Sequence, residues 1–360
     1  MRVCVLGAGI VGASIAYELA GRDVEVVLVD GTSPGSGATA VSFAWVNANA
    51  KLPREYFDLN VAGMREYARL ADELPHRAWL HRGGRLATVE RVPDLDAHVR
   101  RLVSWGYAAE ILDARTVAEE VAPAARLGDP DTPVGWFSEE FCVDAVPLTR
   151  LLVAESAARG VVGHFGAVVD AVTREGGSFA VHLADGTSLV ADAVVNATGA
   201  AASGVGGMVA SPVPLASTWG MTVLVHAPDR SLRQVVHTAD VELRPEGLDR
   251  VRLHDTTLDD LLPHADRDEL ASTMLGRATR VMPALASARM VSTHVGLRPI
   301  PADGVSSVGA VPSVPGHYEA VTHSGVTLGP LLGRLLATEI VDGAVDPLLR
   351  PFRPDRFTGR

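Results

Sequence analysis

Apolar positions fall into two rhythms along this chain. Residues 2–6 form a short β-branched run of the kind buried in a parallel strand, the stretch SIAYELAGR that follows three glycines reads as a helix, and VEVVLVD gives a second strand ending on Asp30. Further along, residues 54–74 carry apolar positions at helical spacing. Residues 83–88 read as a strand and 93–106 as a helix. ILDARTVAEEVAPA contains a charged helical turn, and 146–160 form an amphipathic helix ended by Gly160. From 161 onward alternating strands are punctuated by Gly176-Gly177 and Asp185-Gly186, a hairpin signal, and the small antiparallel meander so formed runs into ADAVVNATGA, a strand with a glycine turn. Residues 212–295 read as a mixed region, strands first and then a helix over 265–283. The last segment, 319–343, is a strand, a Gly-rich turn and a long apolar helix.

A strand–glycine loop–helix–strand opening makes GAGIVG, with Gly7, Gly9 and Gly12, a phosphate-binding pattern in its proper context. Asp30 follows Gly12 at close to the ~20-residue spacing at which an acid reaches ribose hydroxyls. This start and the strand–glycine–helix finish bracket two inserted regions, so both chain ends are expected to build one nucleotide domain. The expected class is α/β (α+β overall), a Rossmann-like domain with an inserted mixed-sheet domain. The first takes residues 1–80, 140–210 and 296–360, and the second 81–139 and 211–295.

Composition narrows the chemistry. At 360 residues, 47% hydrophobic and 21% charged, the chain can bury a sizeable core in two joined domains. A net charge of −11 without a basic run disfavours a nucleic-acid partner. The apolar N-terminus is broken by its glycines and reads as structure, not as a signal peptide, and no 18-residue apolar stretch predicts a membrane span. Cys4 and Cys142 alone make neither a disulfide framework nor a metal site, which suits a reducing cytoplasm. The twelve histidines show no HExxH pattern, so no metal is expected.

Six short motifs then occur in order: GAGIVG at 7–12, SGAT at 36–39, VVNATGA at 194–200, GLRPIPADG at 296–304, HSGVTLGP at 323–330 and FRPDRF at 352–357. Over nearly its whole length the sequence resembles the flavin-dependent amine oxidoreductases of the D-amino-acid oxidase, glycine oxidase and sarcosine oxidase group. The resemblance implies extended, noncovalent FAD, since SGATAVSF carries no attachment histidine. It also implies a substrate domain over the flavin ring, and oxidation of a small carboxylated amine with oxygen or another electron acceptor. Cofactor positions it implies are Gly7, Gly9, Ile10, Val11, Gly12, Asp30, Ser36, Gly37, Ala38, Thr39, Ser42, Phe43, Asn47, Val168, Thr198 and Gly199, with Gly325, Val326 and Thr327 at the flavin pyrimidine edge.

Arg298 is the expected substrate anchor. It sits in VSTHVGLRPI, an apolar strand whose interior would not tolerate an unpaired guanidinium, so it needs a carboxylate partner. Burial alone leaves open whether that carboxylate belongs to a substrate or to a protein acid; the resemblance implies the substrate. His323 begins the flavin turn, as a proton-handling group or as a packing residue. Trp45, Asn49, Tyr56, Trp219 and His237 are candidate pocket walls, each with a structural alternative. SFAWVNANAK, at 42–51, is expected to face the flavin, and it ends on Lys51, the chain's only lysine. Lys51 is either a surface survivor of an arginine-rich composition or a compact charge near the reacting atoms. Three other readings remain: an NAD-dependent dehydrogenase, an FAD enzyme acting on a modified tRNA base, and a non-catalytic flavoprotein subunit.

Overall fold

The computed structural model describes residues 1–88, 91–92, 94–228 and 232–357; Pro93, where the first inserted helix was expected to begin, lies outside them. Its first layer is a six-stranded sheet in the order Ser307–Ala310, His317–Val321, Ala193–Asn196, Arg2–Leu6, Glu25–Asp30, Val162–Phe165. All neighbours are parallel except the first pair. The parallel strands are covered on both faces, which explains why Arg2–Leu6 and Glu25–Asp30 are continuous apolar runs without alternation. On one face pack the helices Ile10–Ala20 and Gly325–Asp342, where Val3, Val5 and Leu28 meet Ile15, Leu19, Leu336 and Ile340. On the other lies a three-stranded antiparallel sheet, Val169–Glu175, Ser178–Leu183 and Ser188–Ala191, through Phe179 and Val181 against Val27 and Val29.

The meander expected from residue 161 therefore begins one strand later. Val162–Phe165 follows the helix Ala145–Ala158 and pairs parallel to Val27–Asp30, because a strand reached through a crossover helix returns to the same sheet.

A second large sheet has eight strands: Arg289–Leu297, Trp219–His226, Arg250–His254, Glu242–Glu246, Val235–His237, Arg85–Thr88, Pro133–Phe137 and Glu110–Asp113. Its core face, with Val223, Val225, Val251 and Leu253, is capped by Leu270, Ala271, Met274 and Ala278 of the helix Arg267–Val281. Arg289–Leu297 is one of its two edge strands. Met290 is 46% exposed and Val291 51%, so the segment leading to Arg298 is not the buried strand its apolar sequence suggested. A small fourth sheet joins Trp45–Val46 and Leu80–His81 to Phe141–Val143. Both cysteines are buried and free, and burial pushes each thiol up to about 12.

Candidate active site

The glycine loop is shaped by close approach. Gly7 has φ +99°, and a Cβ there would stand 2.4 Å from the Ala197 carbonyl oxygen; one on Gly12 would stand 1.8 Å from the Gly7 oxygen. Gly9 caps the helix Ile10–Ala20 without a side-chain bond, and the first turn holds no acidic residue. Thr39 Oγ1 accepts from the Ile10 N–H at 3.0 Å and the Gly9 carbonyl accepts from Ala13. Among the described residues the N–H groups of Val11 and Gly12 have no acceptor, which leaves a seat for a phosphate at a helix N-terminus.

Asp30 braces this loop: Oδ2 accepts from the Ala8 N–H at 2.7 Å, and Oδ1 from both the N–H and hydroxyl of Thr32 at 2.8 Å. Ser36 bonds the Thr32 hydroxyl and the Ser33 carbonyl, and Gly37 caps the short helix Ala38–Val41. Val168, 55% exposed, lies against Gly31 beside Asp30. Thr198 donates to Asn196 Oδ1 at 2.7 Å, and Gly199 follows at φ +61°. These residues gather at the carboxyl ends of the parallel strands, where open α/β sheets bind nucleotides.

The second helix N-terminus belongs to Gly325–Asp342. It too lacks a side-chain cap and an acidic first turn, and among the described residues the N–H groups of Gly325, Val326 and Thr327 have no acceptor. Thr327 Oγ1 accepts from the Asn47 N–H at 3.3 Å, which ties the 42–51 segment to this turn. Asn47 is buried and its Oδ1 has no partner among the described residues. The Tyr56 hydroxyl donates to Ser324 Oγ at 2.9 Å, so Tyr56 braces the turn.

The rest of SFAWVNANAK turns partly inward. Ser42 Oγ accepts from the Ala44 N–H, and Ala44 adopts φ +55°. The Phe43 ring lies 5.7 Å from that of His237 and 5.8 Å from that of His254. Trp45 Nε1 donates to Glu140 at 2.7 Å, Asn49 Nδ2 at 3.0 Å and the Tyr107 hydroxyl at 2.8 Å; Asn49 Oδ1 meets His98 Nε2 at 2.6 Å. Both amide atoms of Asn49 and the indole N–H of Trp45 are thus committed inside the protein. Burial raises the Glu140 carboxyl above its usual range against the opposing pull of Arg85. His237 is fully buried between Trp45 and Phe43, accepts from Arg85 Nε at 3.2 Å, and is pushed well below its ordinary pKa by burial. Lys51 is half-buried, not a solvated surface lysine, and burial lowers its pKa while Tyr56 and Glu140 oppose the shift.

Arg298 has found its carboxylate within the chain. Nη2 donates to Asp259 and lies 3.0 Å from His254 Nε2, while Nη1 donates to the Trp219 carbonyl at 2.7 Å. Gly220 makes the bed: a Cβ there would stand 2.6 Å from Nη2 and 2.7 Å from the guanidinium carbon. Trp219 itself is 44% exposed and contributes its carbonyl. Asp259 Oδ1 also accepts from the Met221 N–H at 3.0 Å. His254 Nδ1 donates to Glu242 at 2.6 Å, and the two acids outweigh burial to raise His254 to about 9. His323 is exposed yet closely surrounded by protein atoms; this desolvation, with Lys51, Arg298 and His254 nearby, lowers it to about 4. Asp259, His254, Glu242 and Glu140 carry no motif, and only their tertiary pairings reveal them.

Among the described residues no cluster of His, Cys, Asp and Glu fits a metal ion, and no helix is long and apolar enough to cross a membrane.

Residues 2–339 match the family model described as FAD dependent oxidoreductase. The glycine oxidase of Geobacillus kaustophilus (strain HTA426) is 27% identical over 384 residues, spanning 99% of this chain and 97% of the relative. The crystal structure of glycine oxidase from G. kaustophilus superposes with a TM-score of 0.86 at 24% identity, covering 99% of this chain and all of that one (100%). Iminodiacetate oxidase from Chelativorans sp. BNC1 does so with 0.83 at 24%, covering 98% and 99%. With two uncapped helix N-termini and a glycine cradle at the strand ends of a parallel sheet, and with a family match over most of its length, this chain is an enzyme of the FAD-dependent oxidoreductase family.

Proposed function

We propose that the enzyme oxidises the C–N bond of a small amino acid or N-substituted glycine, with Arg298 as the anchor for the substrate carboxylate. The observation that carries this reading is the state of Arg298. Its guanidinium is fixed flat over Gly220 by four partners, Thr218, Trp219, His254 and Asp259, keeps 27% side-chain exposure, and its Nε–H has no acceptor among the described residues. A pre-oriented planar donor with a free edge suits a carboxylate, and the orienting cost is already met before substrate arrives. Asp259 keeps the guanidinium's burial tolerable when no substrate is present.

FAD, held noncovalently by the residues at the two helix N-termini, supplies the two-electron acceptor when bound. The Val11 and Gly12 N–H groups would hold the pyrophosphate. Gly325, Val326 and Thr327 would offer N–H groups and a helix dipole to the pyrimidine edge, which suits negative charge there. In the reaction the substrate would pass a hydride from its α carbon to the bound FAD and a proton from nitrogen to water; the imine left behind adds water and breaks its C–N bond to give a carbonyl compound and an amine or ammonia. His323, lowered to about 4, is neutral at working pH and leaves the substrate amine free to shed its proton. Lys51, whose pKa burial lowers, lies near His323 and is suited to holding a water, and Trp219 and Phe43 supply the apolar part of the wall. The chain splits for this task into an FAD domain built on the six-stranded sheet and a substrate domain built on the eight-stranded one.

The test is anaerobic reduction of the flavin by a panel of amino acids and N-substituted glycines, iminodiacetate included, followed by admission of oxygen. Bleaching by at least one carboxylated amine is the expected result; bleaching by none removes the proposal. Rapid recolouring in air marks an oxidase, slow recolouring an enzyme with another acceptor.

A further inference from the structure

One ring nitrogen behind Arg298 faces two partners that ask it for opposite things. His254 Nε2 lies 3.0 Å from Arg298 Nη2, which can only donate, and 3.3 Å from Asp259 Oδ2, an acceptor when ionised. On its other side Nδ1 lies 2.6 Å from Glu242, so the Nδ1 proton stays on the ring in either state. A neutral His254 accepts from Arg298 and ties the guanidinium back into the sheet. A protonated His254 gives its Nε2 proton to Asp259 and has nothing to offer Arg298, whose Nη2 hydrogen then turns to any carboxylate in the cleft.

We propose that carboxylate binding at Arg298 is coupled to protonation of His254, with Asp259 and Glu242 as the residues that set the coupling. The inference rests on the reading of Arg298 as carboxylate anchor and adds to it a proton taken up with the ligand. Each event favours the other, because a bound carboxylate withdraws the donor that conflicts with the imidazolium and adds a negative charge beside it.

The groups that face His254 leave it as the titrating member. Glu242, from Glu242–Glu246, and Asp259, from Thr256–Asp259, are both held below the usual carboxylate range by His254 and their other cationic partners against the opposing effect of burial. His237, from Val235–His237, is held well below its ordinary pKa by burial. Arg91 bonds Glu242 from behind, and His323 is lowered to about 4 by burial, with Lys51, Arg298 and His254 nearby. His254 alone among them is raised, to about 9, and the Phe43 ring covers it. Its protonated form dominates at neutral pH and is lost as pH rises through that value.

The experiment titrates the FAD-loaded enzyme with acetate, an anion with no amine of its own, and follows the visible flavin spectrum between pH 7.5 and pH 10. In the parent enzyme the acetate dissociation constant should be flat to about pH 8 and rise about tenfold by pH 10. In His254→Gln, whose amide reaches the same partners without titrating, the rise should vanish. Lys51, whose pKa burial lowers, is common to both proteins, so only their difference is read. Glu242→Gln, which removes the anion opposite Nδ1, should move the rise to lower pH and serves where His254→Gln does not fold. A pH-independent parent constant, or an equal rise in His254→Gln, overturns the coupling. Arg298→Ala separates the two readings. Acetate that binds the parent and is lost in Arg298→Ala, with no pH dependence in the parent, leaves the anchor standing and removes the coupling alone. Acetate that binds Arg298→Ala as tightly as the parent, or fails to bind the parent at any pH, removes both.

Discussion

The hydroxyl of Tyr67 donates to the carbonyl of Val326 at 2.5 Å, across 259 residues of sequence. That carbonyl lacks its ordinary helical donor because residue 330, four positions on, is proline. Pro330 would leave a buried acceptor in the first turns of Gly325–Asp342, and Tyr67, wholly buried on the helix Arg54–Glu73, satisfies it. Tyr67→Phe should cost about 1–3 kcal/mol, the penalty of a buried acceptor left unmade. It should also loosen the turn proposed for the flavin edge. The check is thermal unfolding with and without added FAD, together with the dissociation constant for FAD: a loss of stability with weaker FAD binding is expected.

The glycine cradle gives a sharper expectation. Gly12→Ala would place a methyl group 1.8 Å from the Gly7 carbonyl oxygen, and both sides of that contact are backbone. Neither can yield without opening the loop that holds the Val11 and Gly12 N–H groups. The variant should purify colourless and bind FAD at least tenfold more weakly, measured by flavin fluorescence quenching. Gly276, on the helix Arg267–Val281 that packs on the eight-stranded sheet, is the control: a Cβ there meets nothing within 4 Å, and Gly276→Ala should stay yellow.

What the sequence made legible, and what it hid, divides on whether a residue's reason is local. Gly7, Gly12 and the helix starts could be read because a positive φ, a close approach or a missing cap is written in a few neighbouring residues. Arg298 could be picked out as a charge in need of a carboxylate, but not its partner, since Asp259 lies 39 residues away on another element. The same holds for Glu140, which gathers Trp45 and Asn49 from one segment and Tyr107 from another and draws two expected pocket walls inward. The apolar run before Arg298 suggested a buried strand; it is an edge strand, and composition does not say on which side of a sheet pairing ends.

Gly220 tests the bed of Arg298. A methyl group there would overlap three guanidinium atoms at 2.6 to 2.9 Å, and a guanidinium at the end of a flexible stem can move away. Gly220→Ala should therefore fold and keep its FAD while displacing Arg298 from the Trp219 carbonyl and Asp259. KM for a carboxylated substrate should rise by tenfold or more, since a charge-assisted pair contributes about 1.5–3 kcal/mol. Steady-state kinetics decide it, and an unchanged KM would show that the guanidinium does not need this seat to act.

Glu319 carries a pH signature separate from the cleft. It lies in the strand His317–Val321, 3% exposed, with Ser307 Oγ donating to it at 2.9 Å, and burial raises its pKa to about 7. The folded chain therefore binds this proton more tightly than the unfolded one, whose value is about 4.5. Stability from this group is fully present below about pH 4.5, falls as pH rises, and is lost above about pH 7, a swing on the order of 3 kcal/mol. Glu319→Gln replaces the protonated acid with a neutral group of the same shape. It should leave stability near pH 5 almost unchanged and raise it at pH 8. Urea unfolding of both proteins at the two pH values measures the difference, and equal stability changes at pH 5 and pH 8 would show that Glu319 does not gain its proton on folding.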